Sequence, residues 1–496
     1  MSAANPRLDL AERVSYISSS SKVKEDGYVG AKTPDLELEG GALRSGGRPN
    51  VWSRDYIGIL VQYAAVGMIY GTLPSTVYPL LQQYFNMEGT QIVSAKVLLT
   101  LPWSFKVLYG ILSDCFPIFG YRRRPFMIIG WTVCAVILLI MACSKIGKPY
   151  YIDRSLADKK PATYTPDDWA HGINQDAPDT GSKYVVLMML AALGYVGSDV
   201  AADAVVVELA QREPVAVRGT TQTTIYMVRT IFIMFSHAIT GFLFNGEQYG
   251  GDFSFSLSFP ELMVILVCVC IPTIPVTWFF IKEEKHPGVD FKNYMAELWE
   301  LIQSRAMYQV IFYKFISGIF ENISITCSSP MEQYWVAATP LNDNIASILS
   351  SAIFAFVLYA TGKWGLHWNW RYMHAITLFT SYAIDSIVMF LVTWDVVRTQ
   401  WFWLGPPLLE NLPQGVSFIV ATYVMVELAG EGNEGAVYGL LTTVTNLSQT
   451  FASTITKNID AQFDVMSKDI QADTHHVRTH VTYVLVIMYL AAGCSI

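Results

Sequence analysis

Asp199 and Asp203 stand four residues apart in GYVGSDVAADAVVVELA (194–210), an otherwise apolar run. Spacing of four puts two side chains on one face of a helix. The run is long and apolar enough to be embedded in a membrane. A charge in the hydrocarbon region costs about 2.5–3.5 kcal/mol on insertion scales, so such residues usually face a polar cavity and mark a pathway. Two carboxylates on one face can accept hydrogen bonds from a polar ligand or carry a proton. Lys106 and Arg229 lie in neighbouring apolar segments and can meet an anion. The bland alternative for all four is an internal salt-bridge network that only holds the helices together. Further along, Asp385 in SYAIDSIVM is the expected cavity residue of the second half, with a packing hydrogen bond as its rival. Glu321, Glu332 and Glu410 are weaker candidates, the last two expected at solvated interfaces. His237 reads as a packing histidine before a proton relay.

The elements that position these residues are helices. Apolar residues make up 52% of the chain and charged residues 15%, well below the quarter usual in soluble domains. Mean hydropathy is +0.34. The 27 Tyr and 13 Trp suit a chain with two membrane interfaces. A pI near 5.5 and the lack of basic tracts give no support for nucleic-acid binding. The seven cysteines lie mostly in apolar runs without zinc-type spacing, which argues against a disulfide scaffold or a metal centre. There is no phosphate-binding loop, hence no sign of ATP-driven chemistry.

Twelve apolar segments reach helix length, near 56–81, 93–113, 126–144, 184–208, 219–245, 260–281, 308–330, 344–362, 372–394, 402–427, 436–457 and 481–496. The last is short for a core of roughly 30 Å, so it either borrows preceding residues or is cut off early. An N-terminus on the cytosolic side places Arg122–Arg124, Arg212, Arg218 and Lys282 in cytosolic loops, in line with the positive-inside rule. Residues 1–50 read as a disordered cytosolic tail. Residues 51–282 and 308–496 form two six-helix bundles, joined by a cytosolic linker (283–307). Within it Phe291, Met295, Leu298 and Ile302 fall at helical spacing. An internal repeat supports the halves: VVVELAQREPVAVRGTTQT (205–223) resembles VMVELAGEGNEGAVYGLLT (424–442), setting Glu208 against Glu427 and Gly219 near Gly439. Duplicated halves are a transporter architecture.

A second block, LPWSFKVLYGILSDCFPIFGYRRRPFMIIGW (101–131), sets Gly110 and Asp114 ahead of Arg122, Arg123 and Arg124. An Asp at a helix end beside three Arg can form a charge latch that differs between conformers; the alternative is a topology signal. Gly110 and Asp114 reproduce the GxxxD opening of the major facilitator loop signature, although the interval from Asp114 to Gly120 is longer than usual there. Glu208, Arg212 and Arg218 bracket the turn before Gly219 and read as conformational clasps. The two blocks together, LPWxxK…GxxSD…PIxGYRRRP and xxDVxxDxxVVExA…RG, resemble the folate–biopterin transporter family, a branch of the major facilitator superfamily. Val107 stands where that family often has Pro. The resemblance covers about 55–460. It implies an all-α, twelve-helix fold of two pseudo-symmetric bundles and transport of folates, pterins or related metabolites, with S-adenosylmethionine carried by some relatives.

The expected function is therefore secondary transport, proton-coupled, by alternating access, in the plasma membrane, without cofactor or enzymatic activity. Asp199, Asp203, Lys106, Arg229 and Asp385 are the expected ligand or proton residues. Asp114, Arg122, Arg123, Arg124, Glu208 and Arg218 are the expected gating residues. The rival class is an intramembrane aspartyl protease. It fails because Gly197-Ser-Asp199 and Ala383-Ile-Asp385 match neither a YD nor a GxGD motif. A receptor on a transporter scaffold is the remaining alternative.

Overall fold

Each of the twelve apolar segments falls on a helix in the computed structural model. The structure describes residues 42–495, apart from 45, 88, 157–163, 215–216, 218, 252, 287–289, 337–339, 366–369 and 429–433. Most of the expected N-terminal tail lies outside the described residues. The first half holds α1 (Ile57–Ser75), α2 (Gly89–Thr100), α3 (Lys106–Cys115), α4 (Arg124–Cys143), α5 (Ala177–Gln211), α6 (Thr220–Ala238) and α7 (Phe259–Phe279). After the linker helix α8 (Phe291–Gln303) come α9 (Arg305–Asn322), α10 (Pro340–Ala360), α11 (Trp370–Thr393), α12 (Pro407–Leu428), α13 (Glu434–Asp460) and α14 (His475–Gly493). Among the described residues no strand is formed, and eight helical stretches are long and apolar enough to cross a membrane. The last helix does borrow from the preceding residues. It begins at His475 and its 19 residues rise about 28 Å.

The second apolar segment is broken. Pro102 lies in a tight turn, Leu101–Phe105, between α2 and α3. Proline lacks the amide proton that a continuous helix needs there. Lys106 therefore opens α3 rather than sitting inside an unbroken helix, while remaining mid-way along the span Ser94–Cys115. By contrast α5 runs unbroken for 35 residues, about 52 Å, so it carries Asp199 and Asp203 deep in the span and Glu208 near its end.

The halves meet along two helix pairs, α6 against α10 and α3 against α13. The second pair is close because of glycine. A Cβ on Gly439 would stand 2.6 Å from the Lys106 carbonyl oxygen, and one on Gly110 would overlap the Gly435 backbone. Gly219 and Gly439, aligned by the repeat, hold different places. Gly219 precedes α6 with φ +98°, a left-handed conformation, whereas Gly439 lies inside α13. Short sequence similarity fixed the helix pairing but not the register.

Linker helix α8 is capped by Asp290, which accepts the Asn293 amide. Its buried face is close to the expected one, with Leu298 buried, Met295 and Ile302 packed beside it, and Tyr294 added. Tyr294 and Leu298 are buried, while Phe291 is 47% exposed. The Tyr294 hydroxyl finds a carboxylate partner, described below.

At the opposite end of the helices, Asp473 joins two arginines. Arg398 Nη1 lies 2.6 Å and Arg478 Nη2 2.8 Å from its Oδ2. Burial pushes its carboxyl up, but hydrogen bonds and charge from Arg398 and Arg478 outweigh this and hold it at about 2. A depressed carboxyl contributes stability that is complete above its unfolded value, about 3.9, and is lost as pH falls through the folded one. Asp473→Asn is expected to lower the melting temperature of purified protein at pH 7. The gap to wild type should close between about pH 4 and 2. An equal gap at pH 7 and pH 2 would remove the charge from the account.

Candidate functional site

Lys106, Asp199 and Asp203 meet in one buried cluster. Lys106 Nζ donates to Asp199 Oδ2 at 2.6 Å and to Asp203 Oδ2 at 2.8 Å. None of the three exposes more than 3% of its surface. The i, i+4 spacing on α5 presents both carboxylates to the amine, and the turn at Pro102 aims that amine from the start of α3. Three tyrosines complete the cluster. Tyr63 of α1 donates to Asp203 Oδ1 at 2.5 Å, and the Tyr226 hydroxyl of α6 lies 3.5 Å from the same oxygen. Tyr226 in turn hydrogen-bonds Tyr438 of α13, so the cluster reaches the other half of the molecule. The ammonium also sits 4.5 Å above the Trp103 ring. One amine faces two acids, and Asp199 Oδ1 is buried without a hydrogen-bond partner. The cluster is an internal ion network in this conformer, with both charged contacts of Lys106 occupied.

Arg229 stands beside it without joining. Its guanidinium lies 4.8 Å from the Tyr226 ring and 5.7 Å from Phe418. Its Nε is buried with no hydrogen-bond partner, and it makes no ion pair among the described residues. Asp385 is elsewhere, in a cavity of about 510 Å³ inside the second half, lined also by Glu321, Glu410, Tyr382 and Phe418. Tyr489 donates to Asp385 Oδ2 at 2.8 Å. Glu410, expected at a solvated interface, lines this cavity with Oε1 buried and unpartnered. Glu321 accepts a 2.8 Å hydrogen bond from Ser317. Glu332 is half-buried. His237 Nδ1 lies 3.3 Å from Ser75 Oγ, a packing contact.

The ion cluster at the end of α3, where a latch is expected, is built around Asp114 and Arg123. Arg123 Nη1 pairs with Asp114 Oδ1 at 2.5 Å and Arg123 Nη2 with Glu208 Oε1 at 3.2 Å. Asp114 Oδ2 accepts the Tyr294 hydroxyl at 2.7 Å and the Ala436 amide at 2.9 Å. Asp114 and Arg123 are at most 1% exposed. One carboxylate thus ties together α3, the α4 entry, the linker and the second half. The backbone amides of Arg122, Arg123 and Arg124 all turn to Glu283, at 2.6, 2.8 and 3.0 Å, and Arg124 stacks over Tyr121 at 4.1 Å. Arg218 lies outside the described residues. In the turn it was expected to clasp, Glu213 does the fastening. Its carboxylate accepts the Gly219 amide at 2.6 Å and the Thr221 amide at 2.9 Å.

Glu213, Glu283, Tyr63, Tyr226, Tyr294 and Tyr438 were missed in the sequence. For the tyrosines no local signal exists, since each sits in an apolar pattern that reads as core. Glu213 was legible as an acid seven residues before a helix start.

Comparison with known proteins bears on the fold and on sequence likeness. Residues 67–153 match the BT1 family. Folate transporter 1 of Plasmodium falciparum is 30% identical over 62 residues, 12% of either chain. Probable folate-biopterin transporter 4 of Arabidopsis thaliana is 21% identical over 174 residues, 35% of this chain and 29% of that protein. The folate-biopterin transporter of Synechocystis is 19% identical over 359 residues, 70% of this chain and 63% of that protein. The chain thus spans less than two thirds of the length of each of these relatives. Among solved structures, the human organic anion transporter MFSD10 superposes with TM-score 0.56 at 12% identity, over 88% of this chain and 99% of that one. A D-xylose–proton symporter gives 0.57 at 12% identity, over 87% and 96%. The chain is a helical integral membrane protein with the major facilitator fold, and in sequence it resembles the folate–biopterin transporters.

Proposed function

We propose that this protein is a secondary transporter of folates, pterins or related metabolites, working by alternating access of two six-helix halves (51–282 and 308–496). The observation that carries this reading is the buried Lys106–Asp199–Asp203 cluster, linked through Tyr226 and Tyr438 to the opposite half. Charges at that depth are costly to keep, and here they sit where the halves must separate. The end of the molecule that holds Asp114 is closed in this conformer, and the reading assigns that end to the cytosol together with the N-terminus. Asp203, which holds Lys106 and two tyrosines, is the proposed proton carrier. Arg229 is the proposed contact for an anionic group, because Lys106 is already engaged. The proposed membrane is the plasma membrane.

The test is uptake of radiolabelled folate and biopterin by vesicles or transporter-deficient cells at two external pH values. Accumulation above an empty control is expected, with a pH dependence that Asp203→Asn removes. Binding without accumulation would favour a receptor on the same scaffold. Accumulation of S-adenosylmethionine alone would keep transport and change the substrate. Arg229→Met is expected to raise the KM for folate at least tenfold while changing biopterin uptake less than twofold. That ratio follows from about 1.4 kcal/mol or more for one charged contact. Equal losses for both substrates would assign Arg229 a structural role.

A further inference from the structure

At the end of the helices opposite Asp114, three metal-ligating side chains converge that the transport reading does not use. His476 and His480 stand one turn apart on α14, their rings 4.0 Å apart at the centroids. Asp464, in the turn that follows α13, faces both. Its Oδ2 lies 2.9 Å from His476 Nε2 and 3.6 Å from His480 Nδ1. The Asp464 amide also donates to His480 Nδ1 at 3.0 Å, so the turn is already fastened to the helix. Donor atoms of the three residues all lie within 4.8 Å of one another.

We propose that Asp464, His476 and His480 form a surface site for a borderline divalent transition metal, zinc foremost. Two imidazoles and one carboxylate are a donor set that this ion favours, with distances near 2.0–2.2 Å. Ligand atoms that share a tetrahedral zinc stand about 3.4 Å apart, which the present spacing brackets. Spacing of i, i+4 on a helix is the arrangement that lets two histidines share an ion. A fourth position stays open to water. His476 and Asp464 are each more than 60% exposed at the side chain, so an ion from solution reaches them without opening the bundle. The metal would take over the His480 lone pair now held by the Asp464 amide. It would thereby staple the α13–α14 turn to α14, beside the Arg398–Asp473–Arg478 network.

The experiment is titration of purified, tag-free full-length protein with ZnCl2 by calorimetry, and with CoCl2 by visible absorption. One ion per chain is expected, with a tetrahedral cobalt spectrum free of thiolate bands. His476→Ala should weaken binding at least tenfold, and it leaves the His480–amide contact in place, so folding is not at issue. His480→Ala and Asp464→Asn should do the same. His475→Ala, whose ring packs on Trp394, should bind as wild type. Absence of zinc binding, equal affinity in His476→Ala, or cobalt bands from thiolate at exposed Cys143, Cys268 or Cys494 would each overturn the site.

Discussion

Lys106→Met is expected to abolish transport and to destabilise the first half by about 3–5 kcal/mol, the usual consequence of removing one partner from a buried ion pair. The amine is the sole cation touching Asp199 and Asp203 among the described residues, at 2.6 and 2.8 Å. Methionine fills a similar volume but leaves two carboxylates without a counter-charge in a site at most 2% exposed. The protein responds by taking up protons or water, or by opening. Two readouts separate structure from mechanism. Thermal melting in detergent should fall markedly for Lys106→Met and recover in the triple variant Lys106→Met/Asp199→Asn/Asp203→Asn, because replacing a whole buried ion network by neutral groups is far cheaper than halving it. Transport should stay absent in the triple variant. A melting temperature unchanged in Lys106→Met would mean that the cluster is hydrated and not an ion network. Wild-type transport by the triple variant would remove all three residues from the mechanism.

Asp114→Asn is expected to shift the conformer population rather than ligand affinity at the cluster. The residue makes the 2.5 Å pair with Arg123, accepts from Tyr294, and is the acceptor for the Ala436 amide across the halves. In the proposed alternating-access cycle the last contact and the Gly110–Gly435 approach are lost when this end opens. A loss of about 3 kcal/mol from the closed state alone changes the ratio of conformers by about 100-fold. Cysteines introduced on the Asp114 side of the pathway should become more reactive to a membrane-impermeant maleimide, and those at the opposite end less so. Apparent affinity moves only through the fraction of competent molecules. Unchanged labelling at both ends with normal transport would reduce the arginine triplet to a topology signal. Tyr294→Phe provides a milder version, since it removes one hydrogen bond and no charge.

Much of this was legible in the chain. Each apolar run of helix length fell on a helix among the described residues, because in a bilayer every backbone polar group must be paired within its own segment. The i, i+4 acids on α5 announced a shared face by spacing alone. Asp114 with a following arginine cluster announced an ion pair, and apolar spacing in 291–302 announced the linker helix. These are local properties, written in the order of residues.

The rest is decided by which helices touch. Nothing in the sequence says that Lys106, rather than Arg229, reaches Asp199 and Asp203. That follows from Pro102 breaking the second segment and from α3 lying against α5. Of three consecutive arginines Arg123 pairs with Asp114, while the amides of all three are drawn to Glu283 across 159 to 161 residues. Tyrosines in apolar helices look like core until packing brings their hydroxyls to a carboxylate. Tyr294 joins the inward face of α8 because its hydroxyl meets Asp114. Sequence by itself determined the membrane-spanning helical class, the helix positions and the identity of the costly charges, because burial in lipid penalises each of these residue by residue. Tertiary structure alone decided the partners of those charges and which of them remained unpaired, because ion pairing depends on distances between helices far apart in the chain.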